Sequence, residues 1–351
     1  MDIDLERARR ETPGVAHVNH MNNAGAALMP DPVRRAVIGH LEREAEIGGY
    51  EAADAAADDL ERGVYESLAR LVGAGAGEIA VIENATRAWD MAFYGLPLQA
   101  GDRILTAEAE YSSNVIAFFH QAQRRGAVVE TIPSDETGAV DLHALARAMD
   151  RRRRKGRVGL VAITHVPTNG GLVNPAAEIG RLTRAAGVPY LLDACQSIGQ
   201  MPVDVAEIGC DMLSATGRKF LRGPRGTGFL FVRQDFLDRI DPPFLDNHAA
   251  TWVAPHRYQL RPDARRFENW ESYVAGKLGL KAAADYALGW GLAAIGRRTT
   301  ALADRIREGL GAIRGVRVLD LGRQRCGIVS FALAGTAAEA VQQALAARRI
   351  N

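Results

Sequence analysis

The sequence predicts an α/β protein: a mainly parallel sheet with helices on both faces, followed by a smaller α+β C-terminal part. Three observations predict it. From residue 79 onward, short apolar runs alternate with amphipathic helical stretches, the rhythm of parallel strands joined by crossover helices. One of those runs, Val188-Pro189-Tyr190-Leu191-Leu192-Asp193, delivers an acid at its C-terminal end, where open α/β sheets bind their ligands. After the next run, Lys219 stands in a Gly/Pro-rich turn, a setting that displays functional groups.

The elements follow in order. A polar arm leads into helices over 31–46 and 51–72. Strand 79–82 then precedes a helix near 86–96, strand 103–106 one near 113–124, strand 128–132 one near 141–153, and strand 158–164 one near 176–186. Strands over 211–214 and 228–232 flank Lys219. A long helical stretch from about 275 to 313 is followed by strands over 316–319 and 327–331 and a helix near 336–348. We read an N-terminal arm over 1–30, a large domain over 31–275 and a small domain over 276–351. The sequence stops at Ile350-Asn351, where a further strand is expected, so the small domain reads as truncated.

Composition narrows the classes. The chain has 351 residues, 47% hydrophobic and 24% charged, with net charge +1, as expected of a soluble globular protein. No apolar run reaches membrane-spanning length, and Met1 to Glu6 lacks the basic-then-apolar form of a signal peptide, so a cytoplasmic location is expected. The near-zero charge gives no basis for a nucleic-acid partner or an anionic membrane. The basic run from Arg151 to Arg157 has no interleaved aromatics and reads as a solvated helix end. Cys195, Cys210 and Cys326 show no metal-ligand spacing and read as reduced thiols, with no metal site expected.

Of 43 basic side chains only four are lysines: Lys155, Lys219, Lys277 and Lys281. Lys155 ends the arginine run, and Lys277 and Lys281 lie four apart in a helical stretch. That leaves Lys219. Lysine, unlike arginine, offers an amine that can lose its proton and form a Schiff base. A strand-end carboxylate such as Asp193 can hold a pyridine nitrogen protonated, the electron-sink arrangement of pyridoxal 5'-phosphate (PLP) enzymes. It could equally cap a following helix. The lysine after the next strand favours the PLP reading.

The order of these parts resembles the class V aminotransferase family of fold-type I PLP enzymes. That family includes cysteine desulfurases, isopenicillin N epimerase-like proteins and ergothioneine-pathway sulfoxide lyases. The resemblance runs from about Asn19 to the end and is strongest over 163–228. It implies Lys219 as the internal-aldimine lysine and α-carbon proton shuttle, Asp193 as the pyridinium partner, and Gln196 as a donor to the phenolic oxygen. Thr168, in His165-Val166-Pro167-Thr168-Asn169-Gly170-Gly171, fills a slot beside that same oxygen. Ala85 and Thr86, in Glu83-Asn84-Ala85-Thr86-Arg87, match the phosphate-binding turn, where Asn84 or Thr86 would also cap a helix. Thr216 and Arg218 stand where the family sets a Ser and a His against the phosphate. Tyr111, in Glu110-Tyr111-Ser112-Ser113-Asn114, stands where an aromatic residue covers the ring. Asn23 matches a segment that approaches the substrate. Arg266 lies in a segment that crosses a homodimer interface, as a substrate contact or a structural ion-pair partner.

The resemblance implies an enzyme acting on an amino-acid substrate, with an α-carbanion whose fate separates the branches. Elimination of a sulfur group gives a C–S lyase, and reprotonation gives an epimerase or a transaminase. The segment 167–171 is closer to the epimerase-like and sulfoxide-lyase branches, and no cysteine holds the place of the persulfide-forming thiol of desulfurases. A C–S lyase-type reaction is therefore the expectation. Two other classes compete. A nucleotide-binding protein would need its glycines between a strand and a helix, whereas Gly73-Ala74-Gly75-Ala76-Gly77 precedes a strand. A non-catalytic scaffold of the same fold is the other.

Overall fold

A computed structural model describes residues 3–150 and 156–351. The basic run at 151–155 lies outside the described residues. Seven strands form the main sheet: β1 (Ile79–Ile82), β2 (Arg103–Ala107), β3 (Val128–Ile132), β4 (Val158–Thr164), β5 (Tyr190–Asp193), β6 (Met212–Thr216) and β7 (Gly228–Val232). Their spatial order is β1-β7-β6-β5-β4-β2-β3. The pairs from β6 through β3 are parallel, and β7 runs antiparallel to both β6 and β1.

The central strands are apolar and enclosed on both faces, as crossover helices require. Alternation along β4 sends Val161 and Ile163 into one core, and Leu160 and Ala162 into another. The helices Ala85–Tyr94 and Ser112–Arg125 cover the second face. Leu142–Met149 and Ala176–Ala186 cover the first. At the β1 edge, Val81 N donates to Glu268 Oε1 at 2.7 Å, so the buried acid replaces a missing neighbour strand.

Three expectations change. The helix expected over 51–72 is broken into Gly49–Asp54, a π-turn at Asp59–Gly63, and Val64–Val72. The turn lies against Lys281, whose Nζ meets Asp59 at 3.3 Å; a Cβ on Gly63 would stand 2.7 Å from its Cε. The stretch over 275–313 is two helices, Val274–Trp290 and Leu292–Gly311, separated at Gly291 with φ +83°. The first of these packs on the helix Asp31–Ile47 and buries Leu280, Ala283, Ala284 and Ala287 in the large core.

Beyond β7, the hairpin of β8 (Ala250–Ala254) and β9 (Arg257–Leu260), absent from the sequence reading, stands out with Trp252 81% and Tyr258 62% exposed. The C-terminal part pairs β10 (Val316–Val318) with β11 (Phe331–Leu333) before the helix Ala338–Ala346. The last strand starts four residues later than expected, because the backbone before it is bonded to side chains and not to a neighbouring strand. Gly327 N donates to Gln200 Oε1 (2.9 Å) and Ser330 N to Asp320 Oδ1 (2.8 Å). Gly73 to Gly77 connects a helix to β1, so the nucleotide-loop arrangement does not occur there.

Candidate active site

Because β1, β2, β4, β5 and β6 run in one direction, their C-terminal ends share one edge of the sheet, where a cleft of about 550 Å³ opens. The sequence separates its lining residues by as many as 135 positions; the fold gathers them. Asn84 Oδ1 accepts Arg87 N at 3.0 Å and caps the helix Ala85–Tyr94, aiming the helix N-terminus with Ala85 and Thr86 into the cleft. A helix N-terminus with free amides and a hydroxyl is an anion site in form. Thr216 ends β6 and Arg218 follows it, so a second hydroxyl and a guanidinium line the same cleft. The Arg218 guanidinium also donates to Gly25 O, and Ala27 N to Arg218 O (2.9 Å), which fastens the N-terminal arm alongside. Gly228 makes this close packing possible: a Cβ there would meet Ala215 O at 2.5 Å and Ala85 N at 3.1 Å.

Lys219 lies in the connection from β6 to β7 and is buried. Gly217 N donates to Thr227 O (2.9 Å), Arg222 N to Lys219 O (2.9 Å) and Gly223 N to Gly217 O (2.7 Å), which closes the loop on itself. Lys219 Nζ sits 5.9 Å from the Tyr111 ring centroid, and among the described residues it has no ion pair. Asp193 ends β5. Cys195 N donates to its Oδ1 at 2.9 Å and Asn114 Nδ2 to its Oδ2 at 3.1 Å, so each carboxyl oxygen accepts one N–H donor.

Gln196 and Thr168 complete the lining. Gln196 Nε2 donates to Ala24 O (3.2 Å), whereas its buried Oε1 has no partner. The Thr168 loop is held at its far end, where Asn174 Nδ2 donates to Thr164 O (2.8 Å) and Gly171 N to Asp320 Oδ1 (3.1 Å). Asn169 does not line the cleft; its carbonyl accepts Ser330 Oγ at 2.9 Å.

Nine residues singled out from the sequence thus meet in one cleft: Lys219, Asp193, Gln196, Ala85, Thr86, Tyr111, Thr168, Thr216 and Arg218. Two do not. Asn23 lines neighbouring grooves beside the N-terminal arm. Arg266 is buried, donating to Arg261 O (2.8 Å) and paired with Asp238 (3.5 Å), which matches the structural alternative for this residue. Sequence reasoning missed Asn114, Thr164 and Cys195 in the lining, and Glu110 behind it. Glu110 and Asn114 entered the sequence reading only as part of the segment that carries Tyr111, and nothing local in the sequence marked them.

The donor set suits an aromatic phosphate cofactor. One end offers helix amides, hydroxyls and a guanidinium, the floor a carboxylate, the roof an aromatic ring, and the wall an amine. Among the described residues no group of three or more His, Cys, Asp or Glu is placed to hold a metal ion, and no helix is long and apolar enough to cross a membrane.

Comparison with known proteins bears on the fold and the family. A probable cysteine desulfurase of Methanothermobacter thermautotrophicus is 30% identical over 329 residues, covering 93% of this chain and 80% of that protein. One from Xylella fastidiosa strain 9a5c is 32% identical over 350 residues, covering 95% and 81%. The apo cysteine desulfurase of Thermococcus onnurineus NA1 superposes with a TM-score of 0.90 at 28% identity, over all of this chain and 88% of that one. A lysine-to-alanine mutant of C-DES with glycine covalently linked to its PLP cofactor gives a TM-score of 0.86 at 26% identity, over 97% and 90%. The family model described as aminotransferase class-V matches residues 20–351, and by that match, together with these relatives, the chain belongs to the class-V aminotransferase family.

Proposed function

We propose that the protein is a PLP-dependent enzyme that cleaves a C–S bond of an amino-acid substrate by β-elimination. The observation that carries this is the buried Lys219 amine facing Tyr111 across a cleft floored by Asp193. Relatives named as probable cysteine desulfurases support the sulfur-containing substrate.

Ala85 N, Thr86 N, the Thr86 and Thr216 hydroxyls and the Arg218 guanidinium would hold the phosphate. Asp193 would keep the ring nitrogen protonated, Tyr111 would cover a ring face, and Gln196 and Thr168 would hydrogen-bond the phenolic oxygen. The unpartnered Gln196 Oε1 is what a site awaiting a polar ligand shows. PLP, when bound, supplies an electron sink for a carbanion at the substrate α-carbon. Lys219 Nζ takes the α-proton. The Cβ–S bond then breaks with its electron pair leaving on sulfur, and with water the products are a thiol, pyruvate and ammonia. Burial of Lys219 keeps water from competing for that proton. Asn23 and Arg266 have no part in this scheme.

The same reading makes the protein a cytoplasmic homodimer. The support for the homodimer is the three exposed aromatic residues Trp252, Tyr258 and Trp270 on and near the β8–β9 hairpin. Light scattering that returns a monomer at micromolar concentration would remove this part. It also divides the chain into an arm (1–30), a large domain (31–275) and a small one (276–351).

The test of the function is borohydride reduction of PLP-loaded protein followed by peptide mapping, with Lys219→Ala alongside. PLP fixed on Lys219 is expected, with pyruvate and ammonia released together with sulfide from L-cysteine, cysteine persulfide from L-cystine, or a thiol from a cysteine S-conjugate. Pyruvate-free racemisation would turn the reading to the epimerase branch. PLP bound equally by Lys219→Ala after reduction would overturn the role of Lys219.

A further inference from the structure

Glu110 makes none of the contacts proposed above, yet it is the acid most densely surrounded by donors. It stands between β2 and the helix Ser112–Arg125, behind Tyr111. Tyr111 N (2.7 Å) and Asn114 Nδ2 (3.0 Å) donate to Oε1, as does the Thr164 hydroxyl. Thr164 N (3.1 Å) and Thr106 Oγ1 (3.2 Å) donate to Oε2. The five donors come from three parts of the fold: β2, the C-terminal end of β4, and the turn that starts the helix. Capping that turn would need only one of them.

The remaining connection leads into the cleft. Asn114 Nδ2 also donates to Asp193 Oδ2, so a single amide nitrogen is shared by two carboxylates. An amide carries donors on nitrogen and an acceptor on oxygen. Between two carboxylates only the nitrogen fits, and Glu110 thereby dictates which way Asn114 faces. Burial raises the Glu110 carboxyl to about 7, with the Asp193 charge adding and the Thr164, Tyr111 and Asn114 donors opposing. Asn114 itself is buried, so water does not substitute for the bridge.

We propose that Glu110 is a positioning residue for Asp193, acting through the Asn114 amide to fix the carboxylate at the floor of the cleft. The proposal rests on the PLP reading for its consequence, but the bridge is a property of the cofactor-free chain. It follows that loosening Glu110 frees Asp193, and with it the Cys195 N–H that donates to Asp193 Oδ1.

The experiment uses Glu110→Gln, Asn114→Ser and the double variant. It reads hydrogen exchange at the Cys195 amide in apo-protein, PLP affinity, and the ratio of the two visible bands of bound PLP. Each single variant should speed Cys195 exchange and weaken PLP binding by about ten- to a hundred-fold, the range for a hydrogen bond to a charged group. Both should change the band ratio in the same sense. The double variant should be no worse than the weaker-binding single one, because both act on one bridge. Wild-type exchange and affinity in Glu110→Gln, or losses that multiply in the double variant, would overturn the proposal. If Glu110→Gln does not fold by circular dichroism, Glu110→Asp, which keeps the charge but shortens the reach to Asn114, is read against Asn114→Ser in the same way. Wild-type protein that binds no PLP sinks the function proposed above, and the exchange at Cys195 still decides the role of Glu110.

Discussion

Asp320 is the place where one substitution should separate the Thr168 loop from the C-terminal segment. Its side chain is fully enclosed. Oδ2 accepts Arg307 Nε at 2.7 Å, and Oδ1 accepts Gly171 N at 3.1 Å and Ser330 N at 2.8 Å. The buried guanidinium also donates to the carbonyls of Cys326 (2.7 Å) and Ile328 (2.9 Å), so one ion pair clamps the Thr168 loop to the C-terminal segment. Asp320→Ala leaves a buried cation and two N–H groups without their acceptor. Breaking a buried pair costs about 3–5 kcal/mol. Orphaned amides would add to that, but Arg307 keeps Asp304 at 3.0 Å, so the same 3–5 kcal/mol range is expected overall. Asp320→Asn keeps Oδ1 for both amides but loses the charge and sets an NH2 group against Arg307 Nε in place of Oδ2, for about 2–3 kcal/mol. Equilibrium urea unfolding followed by fluorescence and circular dichroism gives both values, with coincident curves as the check on two-state behaviour. Limited proteolysis should cut the Ala variant first near 168–173. An Ala variant within about 1 kcal/mol of wild type, or an Asn variant that is the worse of the two, refutes the clamp.

His165 and Glu110 pull the stability–pH curve in opposite senses. Burial pushes His165 down to about 4, below its unfolded value near 6.5, so its stabilising contribution is lost as pH falls below about 6.5; between pH 7 and 5 this amounts to about 2 kcal/mol. Glu110 is raised to about 7, so between pH 7 and 5 it adds a similar amount, about 2 kcal/mol, as pH falls. Urea midpoints of His165→Gln should therefore rise relative to wild type on going from pH 7 to 5, and those of Glu110→Gln should fall; parallel curves for all three would show that neither group titrates in this way. Gly199→Ala should destabilise by about 2–5 kcal/mol, because φ is +87° and the added Cβ would stand 2.3 Å from Leu221 N, in the loop that carries Lys219. Thermal melts and PLP content measure it, and a variant as stable as wild type would mean that this loop yields freely.

What was legible in the sequence follows the range of the forces involved. Strands β4 to β7 read directly because burial on both faces leaves short, mostly apolar runs, with Asp193 at the end of β5 and Lys219 just beyond β6. Asn114 was not legible: its partners are Glu110, four residues away, and Asp193, 79 positions away, and only the pairing of β2 with β4 and of β4 with β5 brings the second within reach. The β8–β9 hairpin escaped because its residues are mostly exposed, so burial left no alternation to read. The start of β11 was misjudged for a different reason. Ser330 is extended and apolar-flanked, but its N–H goes to the side chain of Asp320 and its hydroxyl to Asn169 O.

The reversed strand β7 has a consequence for the order of assembly. It follows β6 through the short connection 217–227, so the pair that loops out Lys219 is a hairpin closed by local contacts. Its other neighbour, β1, pairs Ile82 with Gly228 across most of the large sheet's length of chain. Loop closure grows costlier with separation, and distant pairings form late. The amine is therefore mounted early, and the anion-receiving turn at Asn84 to Thr86 arrives only when β1 docks. Pulse-labelled hydrogen exchange during refolding should protect 212–232 before 79–88; the reverse order would show that β1 nucleates the sheet. On this ordering Lys219 is in place before the turn at Asn84 to Thr86, and the cleft is completed only as the last edge of the sheet closes.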